Sequence, residues 1–209
     1  MVEELLAGHG RFRAAYVARE RDFLRRLATD GQHPSALFIG CSDSRVIPEL
    51  LTDAAPGELF VVRNVANQVP VQDDPDTSVG AAIEFAVEVL GVRDAIVCGH
   101  DGCGGIAAAF GGLPGIEPSS ELGDWLRRLA PAVARGRAPD LDPRVQLGRV
   151  VEENVLDGIA NLMTYPTIAR AVGAGGFRLH GWVYDIEEAS LRVYDAALDG
   201  FVGLDAVTS

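Results

Sequence analysis

Basic residues are in short supply: 18 Lys and Arg stand against 30 Asp and Glu, a formal net charge of -12 at pH 7. Phosphate backbones and anionic lipid surfaces are bound through a Lys/Arg surplus, so nucleic acid and membranes are not expected as partners. Long apolar runs are missing too. No stretch approaches the roughly 18–20 residues needed to cross a bilayer. Met1-Val2-Glu3-Glu4 has neither the basic start nor the apolar continuation of a secretory leader. Cysteine is limited to three residues, an odd number with two close together, which makes no disulfide framework. A reducing cytoplasm is the expected compartment. Clustered Cys and His there point to a metal or to catalysis.

What is present suits a soluble globular chain: 209 residues, 48% hydrophobic, enough for one full-sized domain with a substantial core. No repeat, low-complexity block or linker divides it, so a single domain over residues 1–209 is predicted. Phe12 to Leu27 reads as one amphipathic helix, with Phe12, Tyr16, Phe23, Leu24 and Leu27 near helical spacing. The break at Gly31-Gln32-His33-Pro34 leads into Ala36-Leu37-Phe38-Ile39, a short apolar run that reads as a buried strand. Leu59-Phe60-Val61-Val62 and Ala95-Ile96-Val97-Cys98 read the same way. Helices are predicted from Thr77 or Ser78 as cap to about Leu90, from Ile106 to Phe110, and near Glu121–Arg135 and Gln146–Met163. Phe177–Ile186 and Leu191–Ala197 finish the chain as extended segments. Apolar strands alternating with helices predict an α/β fold, a mostly parallel sheet covered on both faces. Sites in such folds gather at the carboxyl ends of strands.

Cys41 and the pair His100 and Cys103 each follow a predicted strand directly. They can meet at one sheet edge although 59 positions separate Cys41 from His100. Thiolate and imidazole are favoured zinc ligands, and three protein donors with one exchangeable position is the catalytic arrangement. Asp43 has two readings. As a fourth ligand it would close the site; held by Arg45 in a bidentate ion pair it would leave the fourth position to water. Three other readings of these residues stand beside the catalytic one. Cys41 and Cys103 can be small core residues, with His100 satisfied by backbone. Cys98 can complete a structural zinc site. Gly99-x-x-Gly102-x-Gly104 can cradle a phosphate, although its spacing is not G-x-G-x-x-G.

Five segments in order resemble the β-class carbonic anhydrases: Cys41-Ser42-Asp43-Ser44-Arg45-Val46, Arg63-Asn64-Val65-Ala66-Asn67, Glu84-Phe85-Ala86-Val87, Gly99-His100-Asp101-Gly102-Cys103-Gly104-Gly105 and Leu179-His180-Gly181-Trp182-Val183-Tyr184-Asp185-Ile186. The resemblance implies zinc on Cys41, His100 and Cys103, and Asp43 with Arg45 as catalytic dyad. The reaction it implies is hydration of carbon dioxide to bicarbonate. It also implies a homodimer or a multiple of dimers, with an N-terminal helical arm, residues 1–34, packed on the partner subunit. Phe60, Val65 and Phe85 would line an apolar substrate pocket, the Gly104 N–H would help hold a substrate oxygen, and Gln32 would reach the substrate across the interface, as in the plant-like branch.

Two departures matter. Phe85 stands where relatives often carry Tyr. Phe38 stands where the bicarbonate-inhibited branch carries Trp, alongside Arg63 and Tyr184 at matching places. With Gln32 present, the plant-like branch without that regulatory site is favoured, and with it the open state in which Arg45 holds Asp43. The alternatives are hydrolysis of another small linear molecule, carbon disulfide or carbonyl sulfide, on the same scaffold, or a non-catalytic zinc module.

Overall fold

A computed structural model describes residues 1–204. The chain divides into two compact units, Met1–His33 and the remainder from Pro34.

In the first unit the expected single helix is two. Helix α1 (Val2–Phe12) runs through one π-turn at Arg13–Val17, and α2 (Arg21–Asp30) follows. The break lies at Glu20, whose φ of -105° and ψ of 22° leave the helical region. His9, Phe12 and Tyr16 stack in series, with centroids 5.9 and 5.2 Å apart. This aromatic ladder runs from α1 into the π-turn, which inserts a residue and shifts the side-chain period. No residue of α1 or α2 is buried.

The second unit is built on a six-stranded sheet in the order β2-β1-β3-β4-β5-β6. Strands β1 (Ala36–Cys41), β2 (Leu59–Asn64), β3 (Asp94–His100) and β4 (Arg178–Asp185) are parallel. Strands β5 (Ser190–Asp195) and β6 (Gly200–Gly203) add on antiparallel. Each antiparallel turn is closed alike. Asp185 Oδ1 accepts from the N–H groups of Glu187 and Glu188, and Asp195 Oδ1 from those of Ala197 and Leu198. Strand β6 was not expected. Two of its four residues are glycine, so it carries no apolar run and is defined by pairing with β5 alone.

Alternation along β1 and β3 splits the core in two. Leu37, Ile39 and Cys41 face the larger cluster with Ala95 and Val97; Phe38, Ile96 and Cys98 face the smaller one. Helix α8 (Pro143–Leu162) packs on β3 and β4 over the larger cluster. It starts earlier than expected, because Asp142 accepts the Arg144 N–H and Pro143 occupies the first turn. The helix beginning at Ser78 (α4, Ser78–Glu84, continued as a π-turn over Phe85–Val89) is capped by the Asp76 carboxylate, which accepts the Ser78 N–H, and not by a hydroxyl. The expected helix over 121–135 is broken before Pro131 into α6 (Glu121–Arg127) and α7 (Ala130–Gly136). Short helices α3 (Pro48–Thr52), α5 (Gly104–Phe110) and α9 (Pro166–Gly173) complete the unit; α3 and α9 were not foreseen.

Candidate metal centre

Parallel pairing of β1 with β3 sets Gly40 beside Cys98, so Cys41 and His100 emerge at the same carboxyl edge of the sheet. After His100 the chain turns through Gly102, whose φ of +68° suits glycine, and Cys103 sits at the mouth of α5. Sγ of Cys41, Sγ of Cys103 and a ring nitrogen of His100 all lie within 4.8 Å of one another, and all three residues are buried.

The donor set fits a tetrahedral metal. The two sulfurs are 3.9 Å apart, far beyond a disulfide bond of about 2.05 Å and close to the roughly 3.8 Å expected for two thiolates on one zinc. His100 Nδ1 bonds the Asp101 carbonyl at 3.0 Å, and Nε2 is buried with no partner. A ring fixed through one nitrogen and bare at the other is how a histidine ligand is presented. Cys98 is not part of the group. It packs with Phe38 and Ile96 on the other face of the sheet, and burial pushes its thiol up to about 12.

A hydrogen bond links the two central thiols, and either sulfur can donate it. Their contact lowers Cys41, against the opposing effect of burial, and raises Cys103, which burial raises further. Burial lowers His100, but the neighbouring Cys41 sulfur and its charge outweigh that and raise it. Two sulfurs and a bare imidazole nitrogen thus converge in one buried space, a donor set suited to a cation.

Asp43 and Arg45 form a two-pronged ion pair. Arg45 Nε donates to Oδ1 at 2.9 Å and Nη2 to Oδ2 at 2.8 Å, and the Arg45 N–H adds a third bond to Oδ1 at 3.0 Å. These donations hold the Asp43 carboxyl well below its usual range. Oδ2 remains 3.8 Å from His100 Nε2, at the rim of the donor triangle.

Arg63 has a place the sequence reading did not assign. Its Nε donates to the Cys41 carbonyl at 2.9 Å and its Nη2 to the Asp43 carbonyl at 2.6 Å, so it clamps the turn between the two residues from β2. The register of Cys41 opposite Asn64 puts it within reach. Phe38 is wholly buried, edge-on to Trp182 at 6.1 Å.

Phe60 and Phe85 face each other at 5.8 Å. Phe85 is 43% exposed and Val65 39%, so neither is a core residue. Val65 lies against Gly105, where an added Cβ would come within 2.9 Å of its Cγ1. Gly104 opens α5 one residue after Cys103. Gln32 belongs to the first unit and is exposed there.

An α/β sheet with a Cys–His–Cys donor set at its carboxyl edge defines a candidate metalloenzyme. The comparisons name its kind. The family described as carbonic anhydrase matches residues 36–191. A carbonic anhydrase of Pseudomonas aeruginosa is 43% identical over 205 residues, covering 97% of this chain and 92% of that protein. The solved structure of the β-carbonic anhydrase CcaA superposes with a TM-score of 0.91 at 36% identity, covering 97% of this chain and 98% of that one. A chain from the crystal structures of two tetrameric β-carbonic anhydrases of Sordaria macrospora is matched at a TM-score of 0.81 and 32% identity, over 92% of this chain and 95% of that one. The chain belongs to the β-class carbonic anhydrases. Among the described residues, no helix is long and apolar enough to cross a membrane.

Proposed function

We propose that Cys41, His100 and Cys103 hold one zinc ion, and that the chain uses it for the reversible hydration of carbon dioxide to bicarbonate and a proton. The observation that carries this reading is the buried donor triangle, with His100 Nε2 left unpartnered, beside a carboxylate engaged by Arg45. Zinc held there supplies the nucleophile, because the cation lowers the pKa of water towards about 7.

The chain's own residues do the rest. Arg45 keeps Asp43 ionised and engages both of its oxygens, which favours the open state. The free acceptor capacity of Asp43 accepts a hydrogen bond from the attacking oxygen and so aims its lone pair at carbon. Phe60, Val65 and Phe85 form an apolar wall suited to a nonpolar substrate. The N–H of Gly104 and the Gln32 amide donate to the oxygens that gain charge as bicarbonate forms.

Phe85 and Val65 are exposed on a single chain, and surfaces of that kind are completed by a partner. A homodimer or a multiple of dimers, with the arm of residues 1–34 on the partner subunit and Gln32 contributed across the interface, accounts for them. The tetrameric Sordaria structures support such an assembly. Phe38 lacks the indole donor of a bicarbonate-inhibited site, which supports the plant-like branch. Three free cysteines support a cytoplasmic location.

Metal analysis with stopped-flow hydration of carbon dioxide tests the reading. Stoichiometric zinc is expected, with turnover lost to a chelator and restored by zinc. Zinc without hydration, or hydration that survives full removal of metal, would overturn it.

A further inference from the structure

The turn after β2 has an unusual backbone. Ala66 has φ +64° and Asn67 φ +44°, two successive non-glycine residues in the left-handed region. That region is strained for a residue with a Cβ, for alanine more than for asparagine. Asn67 is wholly buried with neither amide atom partnered, a further cost. Such a shape persists only where its surroundings impose it.

Ala66 and Asn67 are fully buried, and just beyond them the packing opens into a cleft of 290 Å³ lined by Gln68, Val69, Pro70, Asn154 and Asn161 among others. Side-chain donors from distant elements hold the carbonyls of the turn as well. Trp125 Nε1, on α6, donates to the Val65 carbonyl at 2.8 Å, and Asn154 Nδ2, on α8, donates to the Ala66 carbonyl at 2.9 Å. Farther along, Asn161 Nδ2 takes the Val69 carbonyl at 2.7 Å and the Tyr165 hydroxyl takes the Pro70 carbonyl at 2.9 Å. Gln68 Nε2 in turn donates to the Trp125 carbonyl at 3.1 Å, and the Arg128 guanidinium lies 4.8 Å over the indole, so Trp125 is itself fixed.

The turn packs on the metal centre. Ala66 is fully buried in the same core cluster as Cys41 and Cys103. Val65 closes on Gly105, two residues after Cys103, with Ala66 also in contact there.

We infer that Trp125 and Asn154 are positioning residues of the hydration reaction. They hold the Val65-Ala66 turn in its left-handed form, seat Ala66 in the core cluster that contains both ligand cysteines, and set Val65 as a wall of the substrate site. The inference rests on the zinc and substrate-wall assignments proposed above. A group that orients a metal ligand changes metal affinity on removal, whereas one that sets a pocket wall changes KM more than kcat.

The test uses the full-length enzyme and two variants that remove a donor while keeping bulk, Asn154→Leu and Trp125→Phe. Zinc affinity is read by competition with a chromophoric chelator, KM and kcat by stopped flow, and folding by thermal melting. Asn154→Leu is expected to weaken zinc binding roughly tenfold. Trp125→Phe, at a half-buried site, is expected to fold, to keep its zinc, and to raise KM several-fold with kcat within about twofold. Adding Ala66→Gly to Asn154→Leu should restore zinc affinity, because glycine adopts the left-handed backbone without the penalty. A purely structural role would lower the melting temperature of both variants and leave zinc affinity and KM unchanged; that result overturns the inference. So does an Ala66→Gly addition that recovers melting but not zinc affinity. Wild type and Val65→Ala run in parallel separate the two levels. If wild type binds no zinc, or Val65→Ala leaves KM unchanged, the functional reading fails and the inference falls with it. If both behave as expected and the tether variants do not, only the inference fails.

Discussion

Two turns flank the metal centre, and they are held by different means. The turn after β1 is fixed from close by. Arg45, two residues from Asp43, closes on its carboxylate, and Arg63 on the neighbouring strand takes the carbonyls of Cys41 and Asp43. The turn after β2 is fixed from 60 and 88 positions away in the chain, by the indole of Trp125 and the amide of Asn154. Guanidinium groups serve the first turn and neutral donors the second. A charged clamp suits the turn that presents an anionic group to the site, since it stabilises the charge it positions. Neutral donors suit a turn whose task is to place a methyl-bearing wall, because they add no charge beside a nonpolar substrate.

The largest effect breaks both turns' common purpose. Cys41→Ser, His100→Ala and Cys103→Ser are each expected to lose zinc and, with it, activity by on the order of 10³-fold or more. Metal content and carbon dioxide hydration, measured on the same samples, check this. Any of the three that retains stoichiometric zinc at wild-type affinity would remove that residue from the donor set. Cys98→Ser is the internal contrast: its thiol packs in the smaller core cluster, so it should alter melting and leave zinc in place.

Next comes the charged clamp by itself. Arg45→Ala removes both prongs from Asp43 while leaving the donor triangle intact. Zinc should stay, and kcat should fall by roughly 100-fold, the usual loss when a positioned group is freed to move by about 1 Å. The Asp43 carboxyl, no longer held down by Arg45, should move back up towards the ordinary carboxylate range. Full activity in Arg45→Ala would show that the ion pair is only a feature of the surface.

The unequal range of these contacts is also why one turn was legible in the sequence and the other was not. Cys41, His100 and Cys103 stand where apolar runs stop, and a parallel sheet brings such ends to one edge, so their meeting followed from pattern and topology. Arg45 sits two positions from Asp43, near enough to be paired by eye. Trp125 and Asn154 lie on amphipathic helices at no fixed spacing from any ligand, and their roles depend on how α6 and α8 dock. Arg63 was visible as a residue but not as a clamp, because its reach to Cys41 depends on the β1–β2 register. Elements escaped for similar reasons. The four residues of β6 are defined by their partner strand. The division of the N-terminal helix at Glu20 interrupts a pattern of Phe, Tyr and Leu that reads as continuous.

The smallest expected effect concerns the far end of the second turn. Arg128 donates to both carboxylate oxygens of Asp74, at 2.9 and 2.7 Å, so the strap that begins at Asn64 ends in a charged anchor after a row of neutral ones. The Arg128 hydrogen bonds hold the Asp74 carboxyl below its usual range, with burial opposing them. A depressed carboxyl contributes stability above the unfolded pKa of about 4, and that contribution is lost as pH falls through the lower native value. Asp74→Asn should therefore melt about 2–4 °C below wild type at pH 7, for a pair contributing about 1 kcal/mol. The gap should close as the medium is acidified below about pH 4. KM for carbon dioxide should change less than twofold, because the anchors at Val65 and Ala66 lie between Asp74 and the site. A KM shift as large as that of Trp125→Phe would mean that the segment from Asn64 to Asp74 moves as one rigid piece, and the contrast would then lie between whole turns and not between their individual tethers.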